Sequence, residues 1–157
     1  MALVLRATSI VAALALAVVA AGGCGSKAST STPAACGGTA NDYLKALQAA
    51  PGAVRLAGET PISHCFTGAE GPDVTQSVIQ AAARLNAQSR RDPRGAGTVQ
   101  LGYLAGAVHE GTAHVPSDAD LVRRIDAAAR YAPGGGSPGP AFERAFGKGY
   151  AAGEATG

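Results

Sequence analysis

Aromatic side chains are scarce in this 157-residue chain: tryptophan is absent, and Phe and Tyr together make up 4%. That excludes a base-stacking platform and an aromatic sugar-binding groove. Charge is sparse as well, at 15% of residues with a formal net of +2, so there is no electrostatic footprint for nucleic acid. The single methionine is the initiator. What fills the chain is small. Alanine and glycine, 36 and 22 copies, occupy 58 of the 157 positions. The apolar share of 46% is too high for wholesale disorder, and the length allows one domain with an appendage.

The longest uninterrupted apolar run, Ile10 to Ala21, is preceded by one cation, Arg6. Its twelve residues reach about 18 Å as a helix, short of a ~30 Å hydrocarbon core. A basic start, a short apolar stretch and small residues at its end make a secretory signal over residues 1–23. The alternative is an uncleaved anchor helix, because only Arg6 interrupts the stretch from Leu3. The residues that follow, Ala21-Gly22-Gly23-Cys24-Gly25-Ser26, resemble the lipobox of bacterial lipoproteins, with Ala21 where that family usually has Leu. The resemblance covers only about the first 26 residues. It implies that Cys24 becomes the mature N-terminus and carries the lipid, palmitate included. The protein would then sit on the extracytoplasmic side of the cell membrane.

There are three cysteines, Cys24, Cys36 and Cys65, and an odd thiol in an exported protein needs an explanation. Lipidation of Cys24 leaves an even pair, which oxidises outside the cytoplasm. A Cys36–Cys65 bridge closes a loop of about 30 residues, worth on the order of 3.5 kcal/mol in the chain-entropy account. A metal site would recruit His64 with Cys36 and Cys65. Adjacent His and Cys side chains converge poorly on one ion, however, and a fourth ligand is missing. The expectation is a disulfide and no metal or cofactor.

Residues 24–35 comprise the lipidated cysteine and a Ser/Thr/Gly/Pro tether, GSKASTSTPAA, with a reach of roughly 20 Å. The Ser/Thr-Pro composition suits sugar attachment or a plain spacer. Residues 36–157 form the domain. Eleven cations balance eleven acids there, and Val, Ile, Leu, Phe and Tyr number only 24, a thin core for its length. Close Ala/Gly helix contacts and the disulfide therefore carry more of the stability than usual.

Periodicity predicts a mainly α domain, a small antiparallel bundle of four to five short helices with one disulfide-pinned loop. The first helix covers Asn41–Ala50, capped by Thr39 or Asn41 and stopped by Pro51-Gly52. Residues 53–71 have no helical period, with at most a short extended piece at Ala53–Leu56. The second helix starts at Pro72, stacks Val74, Val78, Ala81 and Leu85 on one face, and ends near Arg90 and Arg91 before Asp92-Pro93. The third covers Thr98–Val108 with a stripe of Leu101, Leu104, Ala105 and Val108. Gly102 and Gly106 flank that stripe at a cost of about 1 kcal/mol each relative to Ala, which suggests a close second backbone. The fourth starts at Ser117 as N-cap, buries Leu121, Val122, Ile125, Ala128 and Ala129, and pairs Asp120 with Arg124 and Asp126 with Arg130. A Gly/Pro linker, Ala132–Pro140, leads to a last helix aligning Phe142, Phe146 and Gly149, with Gly153–Gly157 frayed.

Catalytic chemistry is hard to find. His109-Glu110-Gly111-Thr112-Ala113-His114 resembles the HExxH zinc motif but is one residue too long. Its two histidines are turned about 140° apart on a helix, so they read as solvated groups at a helix end. No Gly-x-Ser-x-Gly elbow is present, and PGGGSPG at 133–139 lacks the Lys-Ser/Thr of a phosphate loop. Paired carboxylates of the glycosidase kind come from separate elements, so spacing does not exclude them, but most acids here fit helix caps and intrahelical pairs. The expectation is therefore no catalytic residue. Arg84, Arg90, Arg91 and Arg94 make a cationic cluster that suits an anionic headgroup, a phosphate or an acidic partner, or simply dresses a helix C-terminus. The leading expectation is a non-enzymatic binding or scaffold module with an envelope protein or anionic partner and no nucleic acid. The competing one is an envelope hydrolase of cell-wall or lipid material using His64, His109 or His114 as base.

Overall fold

The structure, a computed structural model, describes residues 31–66, 68–134, 136 and 138–157. The signal segment, Cys24 and the tether up to residue 30 lie outside these residues. Among the described residues the domain is all helical: α1 (Ala40–Ala46), α2 (Pro72–Ser89), α3 (Ala96–Thr112), α4 (Ala119–Arg130) and α5 (Gly139–Thr156). Single 3₁₀ turns at Ala34–Gly37, Leu47–Ala49, Ile62–Cys65 and Pro116–Asp118 join them.

Local chemistry accounts for most of the boundaries. The Asp42 carboxylate accepts from both the N–H and the hydroxyl of Thr39, at 2.8 and 2.7 Å, and so fixes the start of α1. The α-helix proper is shorter than the Asn41–Ala50 expectation: its last turn tightens to 3₁₀ over Leu47–Ala49 ahead of Pro51. Pro72 opens α2 as expected, and Val74, Val78, Ala81 and Leu85 are buried along one face. The segment before it is not wholly irregular, since Leu56 pairs with Thr60 in an isolated antiparallel bridge and Ile62–Cys65 forms a turn.

The helices after α1 alternate in direction. The C-terminal ends of α2 and α4 meet where the Asn86 side-chain amide donates to the Ala129 carbonyl at 2.7 Å. Helices α3 and α5 run the other way, parallel to each other and in backbone contact. A methyl group at Gly102 would land on the Phe146 carbonyl and one at Gly106 on that of Tyr150. At Gly149 and Gly153 it would land on the carbonyls of Val99 and Tyr103. Two Gly-x-x-x-Gly pairs, one on each helix, thus key into each other. The expected close backbone is α5.

This central position explains why α3 is buried all round from Leu101 to Val108 rather than along one stripe. It also explains why α3 outlasts its predicted end at Val108 and continues to Thr112: Gly111 packs directly under the Ser63 carbonyl. Fraying at the C-terminus is not observed either. Helix α5 continues to Thr156 with Gly153 buried, and the Ser63 hydroxyl donates to the Gly157 carbonyl. At the start of α4 the cap position belongs to Asp118, not Ser117. Ser117 sits in the preceding 3₁₀ turn and donates to Asp118 Oδ1 at 3.0 Å.

Cys36 and Cys65 are joined, with Cα atoms 5.5 Å apart and both residues fully buried. The bridge ties the turn before α1 to the turn at Ile62–Cys65, which packs on α3. Tyr43, buried beside it, donates its hydroxyl to the Cys36 carbonyl at 2.8 Å, and burial pushes that phenol well above its ordinary range.

Candidate functional site

The densest polar constellation lies where α3, α4 and α5 meet. Because α3 continues past Val108, His109 is a helical residue facing two neighbours and not a solvated group at a helix end. Its Nε2 lies 3.1 Å from Asp126 Oδ1 on α4, and its Nδ1 lies 2.9 Å from the Tyr150 hydroxyl on α5. An ionised carboxylate only accepts, so in the neutral imidazole Nε2 carries the hydrogen and Tyr150 donates to Nδ1. The rings of His109 and Tyr150 meet edge to face, with centroids 5.4 Å apart. The pair is partly solvated, at 29% side-chain exposure for His109 and 45% for Asp126.

Beside it runs a groove of about 310 Å³ lined by His109, Asp126, Arg130, Glu143, Phe146 and Tyr150. Its aromatic floor is Phe146 and Tyr150, stacked at 6.1 Å, and Phe142 continues the stack outside the groove at 5.4 Å from Phe146. Arg130 lies 5.6 Å over the Phe146 ring and 3.4 Å from Glu143. These partners replace the intrahelical pairs expected from spacing. Asp126 is taken by His109 and Arg130 by Glu143, while Asp120 pairs with Arg123 at 2.7 Å rather than with Arg124. The Tyr150 phenol is held above its ordinary value, first by burial and then by the negative charges of Glu154 and Asp126. That disfavours a phenolate nucleophile. The nearest other hydroxyl on α3, Thr112, donates to the Val108 carbonyl at 2.8 Å.

The remaining histidines stand apart: His64 is exposed beside the disulfide and His114 is exposed past the end of α3. Among the described residues no three His, Cys, Asp or Glu side chains gather as metal ligands. The arginines are divided. Arg84 donates to Asn41 Oδ1 and so ties α2 to α1. Arg90 folds back onto Asn86 Oδ1 at 2.7 Å and the Tyr131 carbonyl at 3.3 Å, with its guanidinium 5.7 Å over the Tyr131 ring. Arg91 and Arg94 are exposed in the turn between α2 and α3. This end also carries Tyr131, which at 62% exposure is the most solvated large apolar residue among those described.

The chain enters at the opposite end. Ser31 and Pro33 lie against Ser63, His64, Glu110 and Gly111, at the C-terminal end of α3. The 17 residues of α3 separate that entry from the arginines by roughly 25 Å. Sequence reading missed Asp126, Tyr150 and Asn86 as partners. The structure buries two polar residues among the apolar ones of α2, Asn86 and Ser89, and of these only Asn86 reaches across to another helix.

The fold and this geometry define a small disulfide-stapled helical module built on a glycine-keyed helix pair. Compared with known proteins, the chain matches no family model, no curated protein and no solved structure.

Proposed function

We propose that this chain is a lipid-anchored lipoprotein of the bacterial envelope that acts as a binding or scaffold module, presenting the arginine end of its bundle to an anionic partner. The observation that carries the reading is the Cys36–Cys65 bridge. It uses both domain cysteines and leaves Cys24 alone inside the lipobox-like Ala21-Gly22-Gly23-Cys24. A binding role is supported by how the polar groups are spent. His109, Ser63, Tyr103 and Asn86 each hold one element against another. Arg91 and Arg94, by contrast, face solvent at the end remote from the tether. An anchor at Cys24 would leave that end directed away from the bilayer, which favours an envelope protein over the headgroups of the same membrane.

The alternative is an envelope hydrolase of cell-wall or lipid material. One observation favours it, the acid 3.1 Å from His109 Nε2. Against it, the other ring nitrogen is met by Tyr150 and not by a serine, threonine or cysteine nucleophile.

Fractionation tests the anchor. The wild type should appear in the membrane fraction with a lipidated N-terminal Cys24, and Cys24→Ser should be released or left unprocessed. A mature protein with a free Cys24 thiol would refute it. Rescue of a deletion phenotype tests the role. Arg90/Arg91/Arg94→Ala should fail to rescue while a folded His64/His109/His114→Ala succeeds. The reverse pattern would establish the hydrolase.

A further inference from the structure

The bundle also carries cations at the end where the tether enters. An open cleft of about 650 Å³ lies between the 3₁₀ turn Ala34–Gly37, the end of α1 and the turn after Arg55. Lys45 and Arg55 both line it, and Asp42 is the one acid among the described residues that does. The Asp42 carboxylate is already committed to Thr39 at the start of α1. Lys45 is exposed and forms no ion pair among the described residues. Arg55 is half-buried and held through one nitrogen: its Nη1 donates to the carbonyls of Val54 at 2.9 Å and Thr156 at 2.8 Å. Its Nε and Nη2 donate to nothing among the described residues, which leaves open the edge that meets a phosphate or carboxylate with two parallel bonds. The next turn adds backbone donors. Ala57 and Gly58, both in the cleft wall, take left-handed backbone at φ 51 and 83, and neither N–H has a partner among the described residues. Successive free N–H groups in a turn suit an anion.

We propose that this cleft takes the phosphate of an anionic phospholipid headgroup in the bilayer that holds Cys24, and so fixes how the domain stands on the membrane. The proposal rests on the lipid-anchor reading. Ala34 and Ala35, in the cleft wall, are the last residues of the tether. Ten residues separate Ala34 from Cys24, a span of at most about 35 Å even fully extended. An anchor at Cys24 therefore keeps the cleft near the headgroups. A phosphodiester presents two unesterified oxygens, which match the open edge of Arg55, while Lys45 supplies a point charge. Two side-chain cations against one committed carboxylate leave the lining positive, the sign that an anionic leaflet attracts. The arginine end lies on the other side of the 17 residues of α3 and stays free for its own partner.

The test follows backbone amides by NMR in the full-length protein, as isolated from the envelope, in non-ionic detergent micelles. Doping the micelles with phosphatidylglycerol should shift the Gly38, Ala57 and Gly58 amides saturably, and zwitterionic phosphatidylcholine should not. Lys45→Gln should weaken the response roughly fivefold, and Arg55→Gln at least about tenfold. Lys148→Gln, which removes an exposed cation on α5, should leave it unchanged. Arg55→Gln also loses the tie to Thr156, so the exposed Lys45→Gln decides the matter if that variant is destabilised. Unmoved amides with phosphatidylglycerol would overturn the proposal. Equal losses for Lys45→Gln and Lys148→Gln would overturn it as well, because the attraction would then be spread over the surface charge. Inorganic phosphate binding as tightly as the lipid would overturn the headgroup as the source. Intact mass of the same sample reads the anchor separately. A lipid-free Cys24 with a saturable response would sink the anchor and keep the headgroup site, and a lipidated Cys24 with unmoved amides would do the reverse.

Discussion

Single hydroxyls and carboxyls do much of the fastening in this protein. Tyr103 is fully buried in the centre of α3. Its oxygen accepts from the Val54 N–H at 3.1 Å and lies 2.9 Å from Thr156 Oγ1, whose own hydrogen goes to the Ala152 carbonyl. One phenol therefore ties the loop after α1 to the end of α5. Tyr103→Phe keeps the ring and strands the Val54 N–H, and denaturant melts should show a loss of roughly 1–3 kcal/mol. Glu70 behaves differently. Its folded pKa is raised above the ordinary 4.5 by burial first and by Asp118 next. A raised carboxyl pKa means that the folded state holds the proton longer. Stability is then greatest below 4.5 and falls as pH rises through the folded value. The difference in stability between Glu70→Gln and wild type should therefore grow in favour of the variant across that window. A difference that stays flat with pH would show that Glu70 titrates normally.

At the scale of elements, the α3–α5 pair sets the architecture. Glycine in a helix costs about 1 kcal/mol relative to alanine, and the chain accepts that cost four times in one interface. The return is backbone contact between parallel helices, with dispersion along their whole length. Position decides the sign of a substitution here. At Gly149 an added methyl would collide with the Val99 carbonyl, whereas at Gly147, on the same helix, it would meet nothing within 4 Å. Gly149→Ala should therefore destabilise by roughly 3 kcal/mol or fail to fold. Gly147→Ala should be neutral or stabilising by up to about 1 kcal/mol. Thermal melts of the two variants side by side would check the pair, and equal effects would contradict the interface.

At the scale of the molecule, the thin core is supplemented by a covalent strap. The bridge between Cys36 and Cys65 spans 29 residues of separation and holds the non-helical segment on α3. Thiol labelling should add two labels to the domain only after reduction. Cys36→Ser should lower stability by roughly 2–5 kcal/mol, read from chemical denaturation. A domain of this size has only about 5–15 kcal/mol in total, so such a loss would leave it marginal near body temperature.

Residue order alone determined the helical class, the start of α2, a cap for α1 at Thr39 or Asn41, and the pairing of Cys36 with Cys65; the structure chose Thr39. Gly102 and Gly106 also announced a close neighbour. Each of these depends on interactions within a few residues or, for the bridge, on the lipobox resemblance that sets Cys24 apart from the other two cysteines. The identity of the neighbour was not legible, because the Gly149 and Gly153 repeat lies some forty residues away, beyond α4, and nothing local says that α5 returns parallel to α3. The same distance hid the groove. Asp126 and Arg130 satisfy the helical i,i+4 rule with each other, and spacing paired them. Packing instead brought His109 and Glu143 nearer, and an exposed intrahelical pair, worth only a few tenths of a kcal/mol, yields readily to such partners. Helix ends followed the same logic. Gly111 and Gly153 look like terminators in isolation, yet both lie inside helices, because only a residue without a side chain fits where another backbone crosses.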